Sequence, residues 1–336
     1  MNNSYSVKNI NAPAVVFAYN RPLHTQKMLS SLKRNYLAAQ TDLHIYCDGP
    51  KSESDLANVT AVRELFHDLT GFKSVTIVAS ETNRGLAKSV ISGVSEAINT
   101  AGKVIVIEDD LELSPYFLSF MNFALDKYRE ANQVFSIGGY QFPSKTMEIP
   151  DGYTYDTYTA YRACSWGWAT WADRWNKVDW DVSDFKEFVQ DEEAVNAFNQ
   201  GGIDLSQSLK DQMNGRIDSW AIRFCYGHFR AESYCVYPTR TLVRNIGLDS
   251  SGVHCGVDPT RDHDIFDEDW HPSELCPVVK PDMEIAKRFA MAFDPRRFVT
   301  KSYFFELMKN PRNLTARIIT FLKIRWTISS RMAKRK

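Results

Sequence analysis

Short apolar runs alternate with amphipathic stretches through the first 140 residues, the form that repeated βα units impose on a chain. Pro13 to Tyr19 (PAVVFAY) reads as a buried strand. After Asn20-Arg21-Pro22 the spacing predicts a helix with Leu29, Leu32 and Tyr36 on one face. Leu43 to Cys47 gives a second strand closed by Asp48-Gly49-Pro50, and a polar helix is expected around Leu56 to Leu69. Ser74 to Ala79 is the third strand. Asn83-Arg84-Gly85 then leads into a helix on which Leu86, Val90, Val94 and Ile98 recur every four residues. Lys103 to Ile107 is apolar on both faces, as a central strand covered by helices should be, and it runs straight into Glu108-Asp109-Asp110. Ser114 as N-cap and Pro115 as first helical residue predict a helix with Phe117, Met121, Leu125 and Tyr128 turned inward. Val134 to Ile137 predicts a further strand before Gly138-Gly139. The elements together predict a mostly parallel α/β sheet with helices on both faces.

Beyond residue 150 the alternation fades and tryptophans gather, at 166, 168, 171, 175, 180 and 220. Rings of this size fill cores, which is the reading for most of them; six in so short a span, interleaved with acids and Gly167, leave room for one that faces a sugar. Composition narrows the picture. A 336-residue chain with 44 % apolar and 24 % charged residues suits a globular protein with a sizeable core, and a formal net charge of −1 gives no support to a polyanion partner such as nucleic acid. Cys47, Cys164, Cys225, Cys235, Cys255 and Cys276 form no CxxC pair, so buried free thiols in a reducing compartment are expected. Met1 to Asn11 has no charged-then-apolar signal pattern, and no segment reaches the roughly 18 apolar residues of a membrane span, which points to a cytoplasmic location.

The chemistry concentrates at Glu108-Asp109-Asp110. Three adjacent carboxylates after a buried strand repel one another and lose hydration, so a positive charge is expected among them. In open α/β sheets ligands bind at the carboxyl ends of the strands, where Asp48 and the triplet fall. Oxygen ligands suit Mn²⁺ or Mg²⁺ bridging a diphosphate. A solvated acidic turn opening a helix is the alternative.

The string from Val104 to Phe117, VIVIEDDLELSPYF, resembles the metal-binding segment of inverting glycosyltransferases related to N-acetylglucosaminyltransferase I. Cys164-Ser-Trp-Gly-Trp-Ala-Thr-Trp is similar to that family's Gly-Trp segment, Ile217-Asp-Ser-Trp to its acidic pair before a tryptophan, and Gly252-Val-His-Cys-Gly to an element of its closing loop. The resemblance spans residues 13 to 256 and implies a GT-A (Rossmann-like) α/β fold. Residues 1–150 are then a nucleotide-sugar-binding half, 151–282 an aromatic-rich acceptor-side and closing-loop half, and 283–336 a helical basic tail. It implies Asp110 as metal ligand, with Asp109 near the ribose and Glu108 near the donor sugar. It further implies that Asp48 and Arg21 contact the nucleotide. The donor would be UDP-N-acetylglucosamine and the acceptor a hydroxyl of a glycan, lipid-linked glycan or surface polysaccharide.

Asp218 becomes the expected general base, although the family has two adjacent acids where this chain has Asp218-Ser219; a helix N-cap is its other reading. His254 is expected to reach the diphosphate or metal when its loop closes, or else to be an exposed loop histidine. Arg84, before a helix, is a weaker nucleotide contact. Arg240 and Arg244 pair either with phosphate oxygens or with surface acids. Asn313 to Lys336 carries basic residues and no acid, interleaved with apolar ones, which fits either an anionic membrane surface or core packing. Two rival functions remain at this point, a nucleotidyltransferase and a non-catalytic binding module. The first is disfavoured because Ala18-Tyr-Asn-Arg-Pro-Leu is not the Gly-rich triphosphate loop it would use.

Overall fold

The computed structural model describes residues 11–249, 266–277 and 280–294. The chain divides into two compact units, Met1–Ala292 and Phe293–Lys336, and the description below concerns the first. His254, Cys255 and the basic segment Asn313 to Lys336 lie outside the described residues.

The first half follows the predicted alternation: β1 (Ala14–Ala18), α1 (Pro22–Lys33), β2 (Asp42–Cys47), α2 (Leu56–Glu64), β3 (Ser74–Ala79), α3 (Leu86–Ala101), β4 (Lys103–Glu108), β5 (Leu111–Leu113), α4 (Phe117–Lys127) and β6 (Val134–Gly138). The second half continues with β7 (Thr157–Ala160), β8 (Trp168–Trp171), the short helices α5 (Ala172–Trp175) and α6 (Phe185–Phe188), α7 (Glu192–Phe198), α8 (Leu205–Met213), α9 (Trp220–Arg230), β9 (Tyr234–Pro238), β10 (Val243–Asn245) and α10 (Met283–Ala292). One eight-stranded sheet runs β3-β2-β1-β4-β8-β6-β9-β7, and β5 pairs separately with β10. The β3-β2-β1-β4 block and the β6-β9 pair are parallel; β8 joins β4 to β6 antiparallel, and β7 closes the far edge antiparallel to β9. The aromatic-rich half therefore completes the same sheet.

β1 shows why the core has two layers. Its side chains alternate, so Ala14, Val16 and Ala18 pack with Met28, Leu29 and Leu32 of α1, while Val15 and Phe17 pack with Val90, Val94 and Ile98 of α3. The four-residue repeat of α3 is buried as expected from Val90 onward, and Leu86, in the first turn, is exposed. Gly93 is required on that face, because a Cβ there would stand 2.8 Å from the Phe17 ring.

Several expectations need correction. Tyr36 is exposed and follows α1, since the helix ends at Lys33. Leu111-Glu112-Leu113, buried on alternate residues, is a strand, and its pairing with β10 delays the next helix to Phe117, so Ser114 and Pro115 precede it. Trp168, Trp171, Trp175 and Trp220, by contrast, fill the core as expected for most of the cluster, at 0–4 % exposure, and Trp168 stacks on both Trp175 and Trp220. The five described cysteines are buried free thiols, as expected.

Candidate functional site

Because β1, β2 and β4 are parallel, their carboxyl ends open on one edge of the sheet, with Phe17 level with Glu108 and Ala18 level with Cys47. Arg21, Asp48 and the acid triplet leave the sheet there. Asp109 and Asp110 are each 4 % exposed. Asp109 Oδ2 accepts the backbone N–H of Tyr19 at 3.2 Å, and its Oδ1 accepts from Arg21 Nη2 at 2.5 Å. The same Nη2 lies 3.0 Å from Asp110 Oδ2. The positive charge that the triplet demanded is thus supplied in part by Arg21, expected instead at the nucleotide. Burial works to lower the pKa of this guanidinium, but Asp109 and Asp110 outweigh it and hold the pKa above its ordinary value.

One guanidinium does not neutralise three carboxyls. Asp110 Oδ1 is buried with no hydrogen-bond partner, a costly state for a carboxylate oxygen. Burial, then Asp110 and Asp109, push the Glu108 carboxyl up to about 8, while Arg21 and a hydrogen bond from Trp220 pull the other way. Burial likewise raises Asp109 against the pull of Arg21.

Asp48 turns to the backbone. Its Oδ1 accepts from Gly49 N at 2.9 Å and Arg84 N at 2.8 Å, and its Oδ2 from Gly85 N at 3.1 Å, so it clamps the approach to α3. Gly49 passes so close to Thr82 that a Cβ would lie 2.5 Å from backbone carbon. The guanidinium of Arg84 points along α3 and donates to Ser92 Oγ at 3.0 Å. Gly85 has φ +81°, and a Cβ on it would stand 3.4 Å from Asp218 Oδ2. Asp218 is therefore the neighbour of the Asp48 clamp, with its side chain 62 % exposed and Arg223 Nη2 3.8 Å away. It is not the cap of α9: Ser219 is, accepting Ile222 N at 3.3 Å.

The structure thus gathers Arg21, Asp48, Glu108, Asp109, Asp110 and Asp218 around one edge and turns the Arg84 side chain along its own helix. Arg244 pairs with Glu112 across β10 and β5, and Arg240 lies 3.4 Å from Asp267, so both form ion pairs. Three features had no sequence signal strong enough to place them: Trp220 beside Glu108, Gly247 against Asp110 and Arg21, and the Glu112–Arg244 pair. A separate groove of about 900 Å³, lined in part by Pro13, Asp42, Ser74 and Lys103, opens at the other end of the parallel strands.

A divalent cation fits the donor chemistry in a limited way. Among the described residues no group of three or more His, Cys, Asp or Glu side chains is arranged to hold a metal ion. Mg²⁺ and Mn²⁺ are commonly held by one or two carboxylates, with substrate phosphates and water completing the shell, and the free Asp110 Oδ1 meets that need. Among the described residues no helix is long and apolar enough to cross a membrane.

No protein-family profile matches the chain, and no curated protein matches it. Among solved structures the chain is similar to UDP-glucose pyrophosphorylase complexed with UDP-glucose, at 10 % identity and a TM-score of 0.34, over 68 % of this chain and 90 % of that one. The likeness is too slight to bear on activity.

Proposed function

We propose that the chain is an inverting, divalent-metal-dependent glycosyltransferase that moves a sugar, N-acetylglucosamine as the specific choice, from a UDP-sugar to an acceptor hydroxyl in glycan or surface-polysaccharide synthesis. The observation that carries this reading is the partnerless, buried Oδ1 of Asp110 beside two further carboxyls at the ligand-binding edge of the sheet. Asp110 would hold Mn²⁺ or Mg²⁺, which supplies charge to stabilise the departing diphosphate. Arg21 holds Asp109 and Asp110 in place, and Trp220 orients Glu108 for the donor sugar. Asp48 sets the Arg84-Gly85 turn that borders the nucleotide. The acceptor oxygen attacks the anomeric carbon and the bond to the diphosphate breaks with its electron pair. Asp218, exposed at the rim, takes the hydroxyl proton. The basic segment Asn313 to Lys336 would bring the enzyme to the cytoplasmic face of a membrane carrying a lipid-linked acceptor.

A panel of nucleotide-sugars with Mn²⁺ tests the assignment by thermal shift and slow donor hydrolysis. UDP-N-acetylglucosamine is expected to stabilise the protein and to be hydrolysed, with Mn²⁺ dependence lost in Asp110→Asn. No stabilisation by any UDP compound would sink the reading, and release of UTP on adding pyrophosphate would replace it with nucleotidyl transfer.

A further inference from the structure

β3 forms one edge of the eight-stranded sheet, and among the described residues nothing pairs with its outer side. An open edge invites another strand, and proteins commonly guard such edges with prolines, bulges or inward charges. β3 has none of these. Its sequence SVTIVA has no charge and no proline, its pairing with β2 has no register shift, and every residue is at least partly exposed, Ile77 to 45 %.

We propose that the outer edge of β3 is an interface for a second copy of this chain, joined antiparallel about a two-fold axis at Ile77. Asp48 N–H donates to Ala18 O at 3.0 Å, so the odd residues of β2 face β3, and Ser80 N–H donates to Cys47 O at 2.9 Å in the register that pairs Cys47 with Ala79; the even residues of β3 therefore turn their backbone groups toward β2 and the odd ones, Val75, Ile77 and Ala79, turn theirs outward. Ile77 then faces its symmetry mate as a hydrogen-bonded pair, Val75 of each copy lies opposite Ala79 of the other as the next such pair, and Thr76 and Val78 form the non-hydrogen-bonded pair between them.

The side chains agree with that register. On the α2 side, Ile77 meets Ile77, Val75 meets Ala79, and Lys73 meets Glu81, once at each end by symmetry. Lys73 and Glu81 are both exposed, and the Lys73 ammonium, which holds Asp42 at 2.6 Å, has two further donors to offer Glu81 of the second copy. A parallel arrangement would instead set Lys73 against Lys73 and Glu81 against Glu81. The charges that flank this uncharged strand therefore select an antiparallel copy of itself and disfavour the alternative.

Sedimentation of the full chain across micromolar concentrations, at low and moderate salt, tests the interface. A reversible dimer is expected for the natural sequence. Ile77→Lys, which opposes two ammonium groups on the axis at an already exposed position, is expected to give a monomer of unchanged thermal stability. Glu81→Lys should weaken the dimer about tenfold and Lys73→Glu/Glu81→Lys should recover it. A monomeric natural chain overturns the proposal, as does a dimer indifferent to both Ile77→Lys and Glu81→Lys. If Ile77→Lys fails to fold, the charge-swap pair alone decides.

Discussion

Gly247 lies so close to Asp110 that a Cβ on it would overlap Oδ2 and stand 2.9 Å from the Asp110 Cβ; it would also come within 2.8 Å of Arg21 Nη1. The backbone beside it is fixed by Ile246 N–H donating to Asp110 O at 2.9 Å and by Gly247 N–H donating to Asn245 Oδ1 at 2.8 Å. The segment cannot step back without breaking these bonds. Gly247→Ala is therefore expected to push the carboxylate and the guanidinium apart, at a cost of about 1–3 kcal/mol from overpacking. Urea denaturation measures the stability loss. Under the proposed function, stabilisation by Mn²⁺ with UDP should fall by more than the loss of stability accounts for. An unchanged nucleotide response would show that the Arg21–Asp110 geometry is not part of the donor site.

Asp48 offers a second test, because its carboxylate accepts three backbone N–H groups at 2.8–3.1 Å. Hydrogen bonds to a charged group contribute about 1.5–3 kcal/mol each before exposure discounts them, and Asp48 is only half-buried. Asp48→Ala is expected to lower stability by about 2 kcal/mol. The turn from Ser80 to Gly85 should become the site of faster proteolysis and hydrogen exchange. Protection factors identical to those of the natural chain would contradict the clamp.

The βα alternation and the edge that carries the acids were legible because they follow from local patterning. A run such as Ala14 to Ala18 has to be buried on both faces, and four-residue spacing in α3 has to face something apolar. What escaped was set by contacts between distant segments. Leu111 to Leu113 is too short to announce a strand, and only β10, far along the chain, makes it one. The position of Arg21 after β1 suggests a ligand contact, yet the nearest opposite charges are the protein's own Asp109 and Asp110. The place of Asp48 after β2 likewise suggests a ligand contact, and the loop it clamps becomes its neighbour only once β3 has returned to the sheet. Ser219 displaced Asp218 as cap through one hydrogen bond that no sequence pattern distinguishes.

His228 predicts a pH dependence of stability independent of any activity. It is fully buried between Phe135 and Phe224, its Nε2 lies 3.2 Å from Ser136 Oγ, and its Nδ1 has no partner. Burial lowers its pKa from 6.5 to about 3. Between these values the unfolded chain binds a proton that the native chain refuses. Stability is therefore complete above pH 6.5 and declines as the pH falls toward 3, by up to about 1.4 kcal/mol per pH unit from this group. Denaturant titrations from pH 7.5 to 5 should show a shallower decline in His228→Asn than in the natural chain. Parallel curves would mean that the imidazole is protonated in the native state.

Asp218 separates catalysis from mere binding. Its side chain is 62 % exposed and Ser219 supplies the cap of α9, so neither packing nor helix termination depends on the Asp218 carboxylate. Asp218→Asn keeps the shape, removes the base, and gives up only a loose 3.8 Å approach to Arg223. Stability should change by no more than about 0.5 kcal/mol, the usual range for surface substitutions. Binding of a UDP-sugar with Mn²⁺ should also persist, because the contacts assigned to the donor lie at the carboxyl ends of β1, β2 and β4. If the carboxylate takes the acceptor proton, kcat for transfer should fall by about 10²- to 10⁴-fold, as removal of a general base commonly does. Donor hydrolysis and transfer, measured side by side with affinity, resolve the outcomes. Transfer that survives intact assigns the base elsewhere, and unaltered binding with no turnover in the natural chain leaves a sugar-nucleotide-binding module in place of an enzyme.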